Sequence, residues 1–272
     1  MKKNILITGS NSGIGKLTAE LFSKQGWQVI ATMRDPKKAG SLADHENIHI
    51  YPLDVTNATS IKRAKDAILG DFAQVDVVVN NAGFGVYGAF EPATEEQIDR
   101  QLAVNVKGLM MVTREWLPHF REKGGGLFIN ISSVAGVASY PLASLYIASK
   151  WAVEGFTEAL FYEVKPFQIR IKLVEPGGFR TNFQTSSIIW TSDPTISAYD
   201  EKVMSLRKVR EDRQPNLPDP VAVAEKIFEA ADDPSDRLRY LVGEDAENLM
   251  DIRKKDGPEG FVKWQYANYL AT

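Results

Sequence analysis

Thr8-Gly9-Ser10-Asn11-Ser12-Gly13-Ile14-Gly15 joins an apolar run, Asn4 to Thr8, to a stretch in which Ile14, Leu17, Leu21 and Phe22 recur at helical spacing. The run reads as a short buried strand and the stretch as an amphipathic helix. Glycines in such a turn let the backbone come close to a ligand, and the N–H groups that open a helix attract an anion. The segment is read as a phosphate site, with a plain tight turn as the alternative. Its spacing, G-x-x-x-G-x-G, differs from the commoner G-x-G-x-x-G.

Outward from this turn, strands and helices alternate. Trp27 to Met33 is a second strand, Ile48 to Leu53 a third that ends at Asp54, and Val75 to Val79 a fourth that runs into Asn80-Asn81-Ala82-Gly83. Thr59 to Phe72 has an amphipathic helical pattern. Thr94, followed by Glu95 and Glu96, caps a long helix expected to stop at Leu117, before Pro118. Leu127 to Ile131 is the next strand, and the helix through Tyr146 reaches Val164, where Pro166 ends it. Ile169 to Val174 and Leu238 to Val242 complete the strands. The alternation predicts an α/β fold: one doubly wound, mostly parallel seven-stranded sheet with helices on both faces. Ligands then bind at the carboxyl ends of the strands, where every motif above falls.

Composition narrows the classes. The 272-residue chain is 44% hydrophobic and 25% charged, so it builds an ordinary globular core, read as a single domain. It has no cysteine, which excludes disulfides and thiolate metal sites. His45, His49 and His119 are scattered and read as surface or loop residues, so no metal site is expected. A net charge of −3 without a basic run argues against nucleic acid. No apolar stretch approaches the ~18 residues of a membrane span. Met1-Lys2-Lys3 precedes only Ile5-Leu6-Ile7, too short for a signal sequence, so a cytoplasmic location is expected.

One group of side chains carries chemistry. Ser133 follows a strand, and Tyr146 and Lys150, four apart, share a helix face at the same sheet edge. A free phenol has a pKa of about 10, and bringing it to about 7 takes roughly 4 kcal/mol. An ammonium about 4 Å away supplies on the order of 4 kcal/mol at an effective dielectric near 20. Asn105 and Gly108 lie inside the long helix, where both are locally unfavourable, a hint that Asn105 has another task. Met33 stands at the end of the second strand, the position that selects the nucleotide in dinucleotide folds, and Arg34 follows it. An arginine suits a 2′-phosphate, so NADP(H) is favoured; NAD(H) stays open, since Asp35 follows directly.

From about Asn182 to Pro218 the rhythm breaks. Thr185-Ser186-Ser187 and Ser192-Asp193-Pro194 are loop-like around the apolar Ile188-Ile189-Trp190, and Ser197 to Arg213 reads as a helix. This insertion is a candidate lid. A tail from about residue 246 to 272, with Phe261, Trp264, Tyr266 and Tyr269, packs back on the domain or on a neighbouring subunit.

Together these motifs resemble the classical short-chain dehydrogenases/reductases over about residues 4 to 245. The resemblance implies a Rossmann fold and an oxidoreductase that passes hydride between a nicotinamide and a carbonyl or secondary alcohol. It implies a catalytic set of Asn105, Ser133, Tyr146 and Lys150. Tyr146 is then the general acid or base, Lys150 lowers its pKa and binds the ribose, Ser133 orients the substrate oxygen, and Asn105 distorts its helix and holds a water. Cofactor contacts are expected at Gly9, Ser10, Ser12, Gly13, Ile14, Gly15, Arg34, Asp54, Val55, Asn81, Ala82, Gly83, Tyr146 and Lys150. Pro176, Gly177 and Thr181 match the segment that holds the carboxamide. One departure is Ser12, where NADP-preferring members often carry a basic residue. Val174-Glu175-Pro176-Gly177 with Ala31-Thr32-Met33-Arg34 is similar to the hydroxysteroid and retinol dehydrogenase branch, which leans toward apolar alcohols or ketones. The expected substrate wall is Phe84, Val86, Tyr87, Val134, Val137, Tyr140, Phe179, Phe183, Ile189 and Trp190. A homodimer or homotetramer is implied, built on the helices after Thr94 and Tyr146. A non-catalytic dinucleotide-binding subunit is the alternative.

Overall fold

Alternate residues of the first apolar run face opposite ways: Ile5 and Ile7 enter one buried cluster and Leu6 another. Val29 and Ala31 likewise part from Ile30, and Val77 and Val79 from Val78. A strand covered on both faces must be apolar at every position, which is why these runs read as continuous. The computed structural model describes residues 2–181, 183 and 187–269. Asn182, Thr185 and Ser186 of the expected insertion, the Tyr269 side chain and the final three residues of the expected tail lie outside that description.

The strands are β1 (Asn4–Thr8), β2 (Gln28–Met33), β3 (Ile48–Pro52), β4 (Val77–Asn80), β5 (Gly85–Tyr87), β6 (Gly126–Ile131), β7 (Ile169–Pro176), β8 (Ile188–Trp190) and β9 (Arg239–Val242). Seven pair in parallel in the order β3-β2-β1-β4-β6-β7-β9. From β1 the chain builds outward to β2 and β3, then returns to β4 on the other side. That reversal opens a crevice beyond the carboxyl ends of β1 and β4. One sheet face is covered by α1 (Gly13–Lys24) and α7 (Val221–Asp232), through Phe22 and Ile227. The other is covered by α2 (Ala58–Asp71), α4 (Leu109–Glu122) and α5 (Ser144–Val164), through Ile68, Trp116 and Leu160. Among the described residues the remaining α-helices are α3 (Glu95–Leu102), α6 (Asp200–Arg213) and α8 (Glu244–Tyr269), the last broken by a kink at Gly257.

Four local readings change. The long helix after Thr94 is not one α-helix: α3 and α4 are joined by a π-helical turn, Ala103–Gly108. The extra residue turns Asn105 inward and lets Gly108 sit against Val55, where a Cβ would come within 2.9 Å of a valine methyl. Pro118 does not stop α4, which continues to Glu122. Burial of Trp116, His119 and Phe120 on one side offsets the hydrogen bond that proline forgoes. His119 is not a surface residue: it is buried, and its Nε2 accepts the Val75 N–H at 3.1 Å, satisfying the chain just before β4. Burial lowers its pKa and keeps the ring neutral for that task. Finally, Ile188-Ile189-Trp190 is apolar because it forms β8, which pairs with β5 in a separate two-stranded sheet.

Candidate active site

A cleft of about 1110 Å³ runs across the carboxyl ends of the central strands. At one end lies the glycine turn. Gly15 has no room for a side chain, since a Cβ there would stand 2.4 Å from the Asn81 Nδ2 and 2.6 Å from the Gly9 carbonyl oxygen. Gly13 takes φ +55° with open space before it. Asn81 Nδ2 donates to the Thr8 and Gly9 carbonyls at 2.8 and 3.2 Å, and Thr8 Oγ1 accepts the Asn81 and Ala82 N–H groups. These bonds hold the turn against the end of β4. The start of α1 has no side-chain cap and no acidic residue in its first turn. Its N–H groups therefore suit a phosphate at this wall. The residues present fit a dinucleotide.

Gly9, Ser12, Gly13, Ile14 and Gly15 line the cleft, as do Arg34, Asp54, Val55, Asn81, Ala82 and Gly83. Ser10 does not: it is buried, and its hydroxyl donates to the Ile7 carbonyl at 2.8 Å. Its neighbour Asn11 lines the cleft instead. Lys38, not singled out from sequence, joins Arg34 there. Asp35 turns its carboxylate to the Lys37 N–H at 3.1 Å, capping a short 3-10 turn.

At the other end Ser133, Tyr146 and Lys150 come together with Pro176, Gly177 and Thr181. Ser133 Oγ accepts the Ala135 N–H at 3.1 Å and lies 3.3 Å from the Pro176 carbonyl. The Tyr146 ring stacks on Tyr87, with centroids 5.4 Å apart, and leans on Phe183. Burial raises the phenol's pKa above its usual value, the Tyr87 hydroxyl adds to that, and Ser133 and Arg210 act against it. Lys150 is held at the end of β6. Its ammonium donates to the Ile131 carbonyl at 2.8 Å and stands 5.8 Å from the Tyr146 ring centroid. A buried ammonium needs an acceptor, and the end of β6 provides one. Burial still brings its pKa down to about 8, with Glu154 pulling the other way.

Asn105 does not line the cleft. Its Oδ1 accepts the Phe84 N–H at 3.1 Å, and its Nδ2 donates to the Phe84 carbonyl at 2.8 Å and to Ser149 Oγ at 3.1 Å. Ser149 Oγ in turn donates to the Tyr146 carbonyl at 2.7 Å. The π-helical turn thus ties the cleft wall at Phe84 to the turn of α5 that carries the tyrosine. Gln101 makes a parallel link to Val86, Phe84 and Ser149.

Phe84, Tyr87, Val134, Tyr140, Phe179, Phe183 and Ile189 line the cleft, whereas Val86, Val137 and Trp190 do not. Sequence reasoning missed Leu206, Val209, Arg210 and Arg213 on α6 and Asp245 and Trp264 on α8, all of which line it. A helix was legible over Ser197 to Arg213 but not which face turns to the cleft, and no helix was legible over Asp245 and Trp264. Among the described residues no helix is long and apolar enough to cross a membrane, and no group of three metal-ligating side chains occurs.

The family model for short chain dehydrogenases matches residues 3–191. The chain belongs to the short chain dehydrogenase family. This dehydrogenase is 35% identical over 267 residues to the 3-ketodihydrosphingosine reductase of Bacteroides thetaiotaomicron, covering 98% of this chain and 97% of that protein. Among solved structures it is similar to a short-chain dehydrogenase from Streptomyces avermitilis, with a TM-score of 0.85, 34% identity and 98% of both chains covered. It is also similar to ElxO with NADP bound, with a TM-score of 0.73 and 28% identity over 89% of this chain and 98% of that one. The dehydrogenase is an oxidoreductase.

Proposed function

We propose that this dehydrogenase uses NADP(H) to interconvert a carbonyl and a secondary alcohol on a largely apolar small molecule, with Tyr146 moving the proton. The observation that carries this is the meeting of Ser133 and Tyr146 at an aromatic wall, in the same cleft as the glycine turn. The glycine turn and the start of α1 would hold the pyrophosphate, Asp54 and Val55 the adenine end, and Pro176, Gly177 and Thr181 the nicotinamide end. When bound, the nicotinamide supplies or accepts the hydride. Ser133 positions the substrate oxygen, and the Tyr146 phenol gives that oxygen a proton or takes one from it. The phenol's high pKa keeps it protonated, which suits the reductive direction.

The nucleotide preference rests on Arg34 with Lys38 beside it, since the NADP in the ElxO structure belongs to ElxO. Asp35 accepts the Lys37 N–H and keeps its charge beside Arg34, so NAD(H) stays the alternative. The ketone in the name of the Bacteroides relative, 3-ketodihydrosphingosine, makes ketones on a hydrocarbon chain the first substrates to try. We place the substrate cover at about residues 182–218 of a single domain, and the protein in a homodimer or homotetramer.

Titration with NADPH and with NADH, followed by nicotinamide fluorescence, tests the cofactor reading. Tight NADPH with weak NADH supports it, and the reverse moves the protein to NAD-linked chemistry. Binding of neither removes the enzymatic reading. A screen of alkyl ketones with the preferred nucleotide then tests the substrate class.

A further inference from the structure

Lys150 is 8% exposed, and among the described residues its ammonium finds one hydrogen-bond acceptor, the Ile131 carbonyl. A neutral carbonyl does not balance a buried charge. One turn along α5, on the same side of the helix, stands Glu154, itself almost wholly buried. Arg239 Nε of β9 donates to Glu154 Oε2 at 3.3 Å and stands 3.3 Å from Glu175 Oε1 of β7, while Arg239 Nη2 donates to Glu158 at 2.7 Å. Ser132, the residue after Ile131, faces the same carboxylate. A Cβ on Gly136 would stand 2.7 Å from Ser132 Oγ and 3.0 Å from Glu154 Oε1.

Three buried atoms of this cluster, Glu154 Oε1, Glu175 Oε1 and Ser132 Oγ, close no hydrogen bond among the described residues. Carboxylates bring acceptors only, so two of them together lack donors. One proton on the pair supplies a donor and removes one of two like charges. Arg239 decides where the remaining charge lies, because its Nε is hydrogen-bonded to Glu154 and only near Glu175. Glu154 is then the carboxylate and Glu175 the carboxyl. Tyr146 and Glu158 on α5 and Tyr87 on β5 are the other titratable groups packed around them. The π-helical turn meets α5 with the neutral amide of Asn105. Lys172 of β7 turns to Tyr240, on the opposite face of the sheet, and Arg253 of α8 lies over the Trp151 ring.

We infer that Glu154 is a positioning residue for Lys150: with Arg239 and a protonated Glu175 behind it, its buried carboxylate keeps the ammonium charged beside Tyr146. This rests on the proton transfer at Tyr146 proposed above. The Lys150 ammonium stands 5.8 Å from the centre of the Tyr146 ring, close enough for its charge to favour the phenolate left when the proton departs. A neutral Lys150 withdraws that help. Burial brings Lys150 down to about 8 and Glu154 acts the other way, so without the Glu154 charge the lysine gives up its proton at lower pH.

NMR of the full chain, with lysine isotope-labelled at Cε, follows the Lys150 ammonium directly, its signal assigned by its absence in Lys150→Met. Reduction of an alkyl ketone is followed over the same pH range. In Glu154→Gln the proton should leave Lys150 at lower pH, and the alkaline limb of turnover should move down with it. Glu175 is free to ionise once its neighbour is neutral, so Glu154→Gln combined with Glu175→Gln should show the full shift, about one pH unit or more. Glu154→Asp, which keeps the charge, should return both titrations toward wild type. The midpoint is read on the folded fraction alone, and if the double variant does not fold, the direction of the shift in Glu154→Gln decides. Lys150 titrating at its wild-type pH in the variants overturns the inference. So does turnover that falls by one factor at every pH, the mark of a merely structural role. If no ketone is reduced, the proposed function fails, and the Lys150 titration still decides the role of Glu154.

Discussion

Glu154 of α5 and Glu175 of β7 both reach Arg239 Nε, each at 3.3 Å, with their own side chains almost wholly buried. Two carboxylates so placed do not both ionise at neutral pH. Burial first, and then the Glu154 charge, raise Glu175 to about 8 from its ordinary 4.5. The pair sits one turn along α5 from Lys150, whose ammonium the Glu154 charge supports.

The pH dependence of stability follows from that proton. With its pKa raised, Glu175 gives stability that is fully present below about pH 4.5 and is lost as pH rises to about 8. Each bound proton contributes a slope of up to about 1.4 kcal/mol per pH unit in that window. Glu175→Gln, which resembles the protonated carboxyl, should flatten the fall. Denaturant melts across this range check it, and an unchanged slope would show that Glu175 is ionised in the folded protein.

Tyr146→Phe should lower turnover by about 10²-fold or more, the usual scale of a lost general acid, and leave nucleotide affinity nearly intact. Stopped-flow reduction beside a nucleotide titration measures both. Near-normal turnover would sink the proposed mechanism.

Arg34→Ala should weaken NADPH roughly tenfold or more, the worth of a charge-assisted bond, with little change for NADH. Equal losses for the two nucleotides would mean that Arg34 meets no phosphate.

Asn105→Ala leaves the Phe84 N–H without its acceptor and takes one of two amide donors from the Phe84 carbonyl and from Ser149 Oγ, Gln101 keeping the other. The expected cost is on the order of 3 kcal/mol in stability, with activity falling as well. Calorimetry and turnover together test it. Lost activity at unchanged melting temperature would assign the amide to chemistry and not to holding the cleft wall.

Much of this arrangement is local and was legible in the chain. A run such as Val77 to Val79 is apolar throughout because both its faces are covered, and that pattern needs no knowledge of distant residues. The glycine turn announces itself by residue type, and Ser133 and Tyr146 reach one sheet edge because strand–helix alternation places them there. What the tertiary structure decided depends on partners far along the chain. Pro118 stays helical because Trp116 and Phe120 are anchored in the core. Lys150 turns to Ile131, Asn105 to Phe84, and His119 to Val75 because each buried polar group must find a partner, and packing chooses which. The same holds for Glu154 with Glu175, and for Arg210 above Tyr87: only the packing of α5 on β7 and of α6 over the cleft brings these side chains together.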